Sequence, residues 1–134
     1  MNKKYLFLTA LIISFSYDIS AAKYDKKDPS ELYEEATNQL KKEDYKAAMK
    51  TLKKYTKAEK KDADGWTLLA FTNRKLKNYS KAETLYKKAL KLDPKNKIAL
   101  EYQGELYVEL DRLDEAELNL SKLAELCPNS CKEL

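Results

Sequence analysis

Small residues recur along the chain at one fixed interval. Ala36, Ala70 and Gly104 stand 34 positions apart, and so do Ala48, Ala82 and Ala116. Around them the apolar residues keep helical spacing: Trp66, Leu69 and Ala70 share one face, and Ala82, Tyr86 and Ala89 share another, because side chains three and four apart lie together on a helix. Leu52, Tyr86 and Leu120 repeat in the same step, as do Tyr45, Tyr79 and Leu113. The pattern predicts three helix-turn-helix units over residues 29–62, 63–96 and 97–130. In the first unit, one helix runs to about Lys42 with Leu32, Ala36 and Leu40 inward. A second runs from Tyr45 to about Lys60 with Ala48, Leu52 and Tyr55 inward. Asp28, Pro29 and Glu31 supply the cap, the fixed torsion and the acidic first turn that open the first helix. Glu43, Lys77 and Asp111 fall in the turns, where Lys77 in particular is expected to be strained if its torsion is left-handed.

Taken together, Trp66-x2-Leu69-Ala70, then Ala82-x3-Tyr86-x2-Ala89, then Leu92-Asp93-Pro94 resemble the tetratricopeptide repeat. The small residues allow two antiparallel helices to cross closely, the larger ones fill the surrounding space, and Pro94 cannot extend the second helix. The first copy is looser, with Glu35, Gln39 and Lys60 in place of the expected leucine, aromatic residue and proline. The resemblance implies an all-α fold, an α-solenoid of three repeats. It also implies a non-enzymatic module that binds a protein or peptide in a concave groove lined by the first helix of each pair. By matched position, that groove takes Tyr33, Thr37, Leu40 and Lys41 from the first unit and Thr67, Phe71, Arg74 and Lys75 from the second. Ile98, Glu101, Glu105, Val108 and Glu109 come from the third. An extended peptide meeting Phe71 and Tyr33 with apolar side chains, and the Glu101, Glu105, Glu109 stripe with Lys or Arg, is the expected ligand. The carboxylate clamp with which some members hold chaperone tails is not expected, because its positions carry Tyr33, Thr37, Leu68, Ile98 and Tyr102.

Composition narrows the chemistry. Two glycines and three prolines in 134 residues fit long helices, and the absence of histidine removes the commonest general base and most zinc and haem sites. No cofactor, metal or catalytic arrangement is expected. Residues 1–22 obey other rules: Lys3 and Lys4 precede an apolar run from Tyr5 to Phe15, and Ser20, Ala21 and Ala22 follow. This is the layout of a secretory signal peptide cleaved after Ala22, leaving a polar tail over 23–28 and an exported, periplasmic or secreted protein. A retained membrane anchor is the alternative, although the run falls short of the roughly 20 residues needed to span. Without the leader the net charge is +3, too mild to imply nucleic acid. Its distribution is uneven: 8 basic against 3 acidic residues over 63–96, and 4 against 9 over 97–134.

Cys127 and Cys131 sit four apart at the end of the third unit, ahead of a short tail over 131–134. In an exported chain they are expected to form one disulfide, and a similar pair closes the small exported bacterial tetratricopeptide proteins that this chain resembles. A thiol-redox or metal-handling role is the alternative. It is weakened by the C-x3-C spacing and by the lack of histidine. The apolar side of the last helix around Leu120 and Leu123 is expected to be partly open. A further alternative is an assembly subunit, in which a partner or another copy of the chain, joined acidic end to basic middle, covers this face.

Overall fold

The computed structural model of the chain describes residues 27–127. The leader, most of the polar tail, Pro128 and Cys131 lie outside the described residues. Six helices follow in order: α1 (Pro29–Lys41), α2 (Tyr45–Ala58), α3 (Ala63–Lys75), α4 (Tyr79–Leu92), α5 (Lys97–Glu109) and α6 (Leu113–Leu126). The starts of α1, α3 and α5, and those of α2, α4 and α6, are separated by the interval read from the small residues. Each first helix is opened by a side-chain cap that satisfies a backbone N–H with no partner in the helix. Asp28 accepts from Ser30 N, Asp62 from Asp64 N and Gly65 N, and Asn96 from Ala99 N. The helix α2 ends at Ala58 without a proline, in the same register as α4 before Pro94. Pro94 therefore suits the break but is not what creates it.

Within each pair, the first helix closes in the same way. Glu43 N–H donates to Leu40 O and Asp44 N–H to Gln39 O, both at 2.9 Å, and equivalent bonds recur at Lys77 with Asn78 and at Asp111 with Arg112. This double closure needs one residue in the left-handed region, usually glycine. The chain places Glu43, Lys77 and Asp111 there, with φ of 58°, 62° and 56°. Asn78, the residue better suited to that torsion, has φ of −82°. The expected strain at Lys77 thus falls on Lys77 itself.

Contacts run within each pair and between neighbouring pairs, as in a solenoid whose units complete one another's cores. Ala36, Ala48, Ala70 and Ala82 are fully buried, together with Leu52 and Tyr86, so small residues do mark the close crossings. The junctions between pairs are built differently. At the first, the Tyr55 ring lies over Gly65, and its hydroxyl donates to the Asp62 carboxylate at 2.5 Å. Burial, reinforced by Asp62, holds this phenol above its usual range. At the second, Ala89 and Ala99 take the corresponding places, both fully buried. The third pair also carries polar residues inside: Asn119 Nδ2 donates to Gln103 Oε1 at 3.0 Å and to the Leu100 carbonyl at 3.1 Å. Leu69 and Leu85 hold those positions in the second pair. At the far end of α6 the expectation divides, since Leu120 is 55% exposed whereas Leu123 is buried.

Candidate functional site

The first helices bring their matched positions to one side of the solenoid, but the side chains do not all remain available there. Thr67 is buried, and its hydroxyl donates back to the Ala63 carbonyl at 2.9 Å. It therefore offers no groove surface, contrary to expectation. Leu40 packs against the hydrophobic core. Thr37 is half-buried and donates to the Glu34 carbonyl at 2.8 Å. Tyr33 pairs with Tyr55, ring centroids 5.2 Å apart. Ile98 and Val108 are exposed.

Phe71 is half-buried at the centre of an aromatic group. Tyr102 lies against it at 4.9 Å and Tyr45 meets it edge-on at 6.3 Å. Arg74 and Lys75 hold their cationic groups 5.5 Å and 5.4 Å from the Phe71 ring, at cation–π distance. Tyr45 is not among the expected groove residues, and Tyr102 entered only as the occupant of a clamp position. Tyr45 opens a second helix, and α3 and α5 must pack together before Tyr102 reaches Phe71, so helical periodicity within one unit carries no sign of the cluster.

Arg74 was expected to line the groove, and its position is there, but its side chain is only 5% exposed. It reaches from α3 to α5 and donates to Glu105 and Glu109, the latter at 2.7 Å. Two of the three glutamates of the expected acidic stripe are thereby held by the protein's own arginine. Their side chains stay 47% and 41% exposed. Beneath this pairing Tyr86 is fully buried, and burial raises its phenol above the ordinary range against the pull of Arg74. Two further ties join the second and third pairs. Asn96 Nδ2 donates to Asp64 Oδ1 at 2.6 Å, and Arg112 grips both oxygens of Glu83 at 3.0 and 3.2 Å. Hydrogen bonds from Arg112 and Lys87 hold Glu83 below the usual carboxylate range. For the arginine ties a signal exists in opposite charges 29 to 35 positions apart, and it becomes readable only once the 34-residue step is known.

The tetratricopeptide repeat family matches residues 63–96, and a second match covers residues 85–118. The chain is an all-α solenoid of tetratricopeptide helix-turn-helix repeats. A curated relative, tetratricopeptide repeat protein 37 from Xenopus laevis, is 27% identical over 88 residues, which make up 66% of this chain and 6% of that protein. Among solved structures, the first such domain of Spaghetti (RPAP3), bound to the HSP90 peptide SRMEEVD, superposes with a TM-score of 0.73 at 24% identity, over 78% of this chain and 83% of that one. The type III secretion translocator chaperone SycD from Yersinia enterocolitica gives 0.72 at 24% identity, over 76% and 77%. MamA from Desulfovibrio magneticus RS-1 gives 0.73 at 24%, over 80% and 60%. These likenesses are likenesses of fold.

Proposed function

We propose that the chain is a non-enzymatic protein-interaction module that holds an extended peptide across its concave face. The observation that carries this is the half-buried Phe71, flanked by Tyr45 and Tyr102 and bordered by Glu105 and Glu109. An aromatic floor anchors an apolar side chain of the ligand, and the half-exposed glutamates meet its Lys or Arg. The solved neighbour whose domain holds an HSP90 peptide lends the fold a precedent for this use. The chemistry here differs, because the clamp positions carry Tyr33, Thr37, Leu68, Ile98 and Tyr102.

The leader supports export to a bacterial envelope or beyond, with the mature protein beginning at Lys23. In that compartment Cys127 and Cys131 close the end of the array as a disulfide. Terminal sequencing of the protein recovered from the envelope, with mass analysis before and after reduction, tests both points. A retained Met1, or two free thiols, contradicts them.

For the concave face, the protein is panned against a displayed library of random heptapeptides. Enriched peptides are expected to pair an apolar residue with Lys or Arg, and Phe71→Ala is expected to weaken them about tenfold or more while leaving the circular dichroism unchanged. Peptides that bind Phe71→Ala as well as the parent would refute the assignment.

A further inference from the structure

The outer wall of the first two pairs carries charge of one sign. Along α2 there are five lysines and no acidic residue. In α4 there are four lysines and a single acidic residue, Glu83, which Lys87 and Arg112 already hold. Between α2 and α4, at the end of α3, lies an open groove of about 780 Å³. Lys53 comes to it from α2, Lys81 from α4 and Lys77 from the turn between α3 and α4, and no carboxylate lines it. Among the described residues none of these three ammonium groups has an ion-pair or hydrogen-bond partner, whereas Arg74 and Arg112 are both held by glutamates. The side chains of Asn78 and Ser80, also in the lining, likewise make no hydrogen bond among the described residues. Lys77 stands there in spite of a left-handed torsion that glycine would adopt without strain.

We infer that this groove binds an acidic, extended segment of another protein, rich in Asp and Glu. Three unneutralised ammonium groups around one recess focus a positive potential, and carboxylates complement it. An extended segment also leaves its backbone carbonyls free to accept from Asn78 and Ser80. Nucleic acid fits less well. The groove has no arginine to fork onto a phosphate, and its one ring, Tyr79, packs against the core and offers no platform for a base. A membrane fits less well too, because the groove is recessed and its one large apolar chain, Met49, is packed against the core. The acidic helix α6 of a second copy is a poorer match, since Arg112 lies beside its first carboxylates and holds Glu115. The concave face is proposed to take cations and this groove takes carboxylates, so failure of one leaves the other standing.

The test uses two labelled synthetic peptides of equal length, one with glutamates at alternate positions and one with glutamines in their place. Binding is followed by fluorescence anisotropy at low and at physiological salt. The glutamate peptide is expected to bind at least about tenfold more tightly than its twin at low salt, and more weakly as salt rises. Lys53→Glu with Lys81→Glu is expected to remove that binding. Lys61→Glu with Lys95→Glu makes the same change in net charge outside the groove and is expected to weaken it by about threefold or less. All four positions are exposed, so both variants are expected to keep the parent circular dichroism. Lys77→Gly relieves the left-handed torsion and is expected to weaken binding about twofold or more in a protein no less stable than the parent. Equal binding of the two peptides, binding of neither, or equal losses in the two double variants overturns the inference. So does an oligothymidylate that binds more tightly than the glutamate peptide and needs Lys53 and Lys81. A concentration-dependent dimer in sedimentation that Lys53→Glu with Lys81→Glu dissolves also overturns it, since a second copy would then be the occupant.

Discussion

One ring decides how closely the first two pairs approach. With a Cβ at position 65, the new atom would lie 2.7 Å from Tyr55 Cδ1. The ring cannot swing away without giving up the hydrogen bond to Asp62. Gly65→Ala is therefore expected to destabilise the protein by about 1–3 kcal/mol in urea denaturation. In a Tyr55→Ala background, which resembles the Ala89 and Ala99 junction, the same change is expected to cost less. The Gln103 and Asn119 pair makes the converse case. Gln103→Leu leaves Asn119 Nδ2 without one of its two buried acceptors, at an expected cost of about 1–3 kcal/mol. Adding Asn119→Leu restores the apolar pair found at Leu69 and Leu85, and the double variant is expected to be at least as stable as the parent. A double variant weaker than either single one would show that the polar pair is favourable in itself.

At the level of the helix, the order and limits of the six elements were legible, because a 34-residue step repeats caps, crossings and turns together. Agreement among three copies is stronger than any one propensity. Fine placement within a helix face was less so. Leu120 and Leu123 are three apart and were expected to lie on one partly open face, yet Leu123 is buried and Leu120 is left to solvent. Position alone placed Arg74 and Thr67 in the groove; a long side chain reaching to Glu105 and Glu109, and a short one bonded to its own helix, took them out of it. The turn residues carry a separate lesson. Lys77 adopts a left-handed torsion that costs an L-residue about 1–2 kcal/mol per position. Lys77→Gly is expected to raise stability by about 1 kcal/mol, read as a higher urea midpoint with an unchanged slope. A lower midpoint would mean that the lysine side chain makes a compensating contact.

Across the whole molecule, polar ties concentrate between the second and third pairs, where Arg74, Asn96 and Arg112 each reach across. The Glu83 and Arg112 contact gives this junction a pH dependence of definite sign. Glu83 titrates below its ordinary value in the folded protein. Its contribution is therefore fully present above the unfolded carboxylate value and is lost as pH falls through the folded one. Glu83→Gln is expected to lower the urea midpoint at pH 7, and to lower it by less at pH 3. An equal difference at both values would show that the ion pair contributes nothing.

The concave face is where fold and proposed function meet, and amide chemical shifts read it directly. A peptide selected by panning is titrated into nitrogen-15-labelled protein, with every helix in view. Binding through the aromatic floor predicts shifts concentrated on α3 and α5 around Phe71, Lys75 and Tyr102, and absent from the lysine-rich outer wall of α2 and α4. Shifts gathered on that outer wall, with Phe71 and Tyr102 unmoved, would contradict the account.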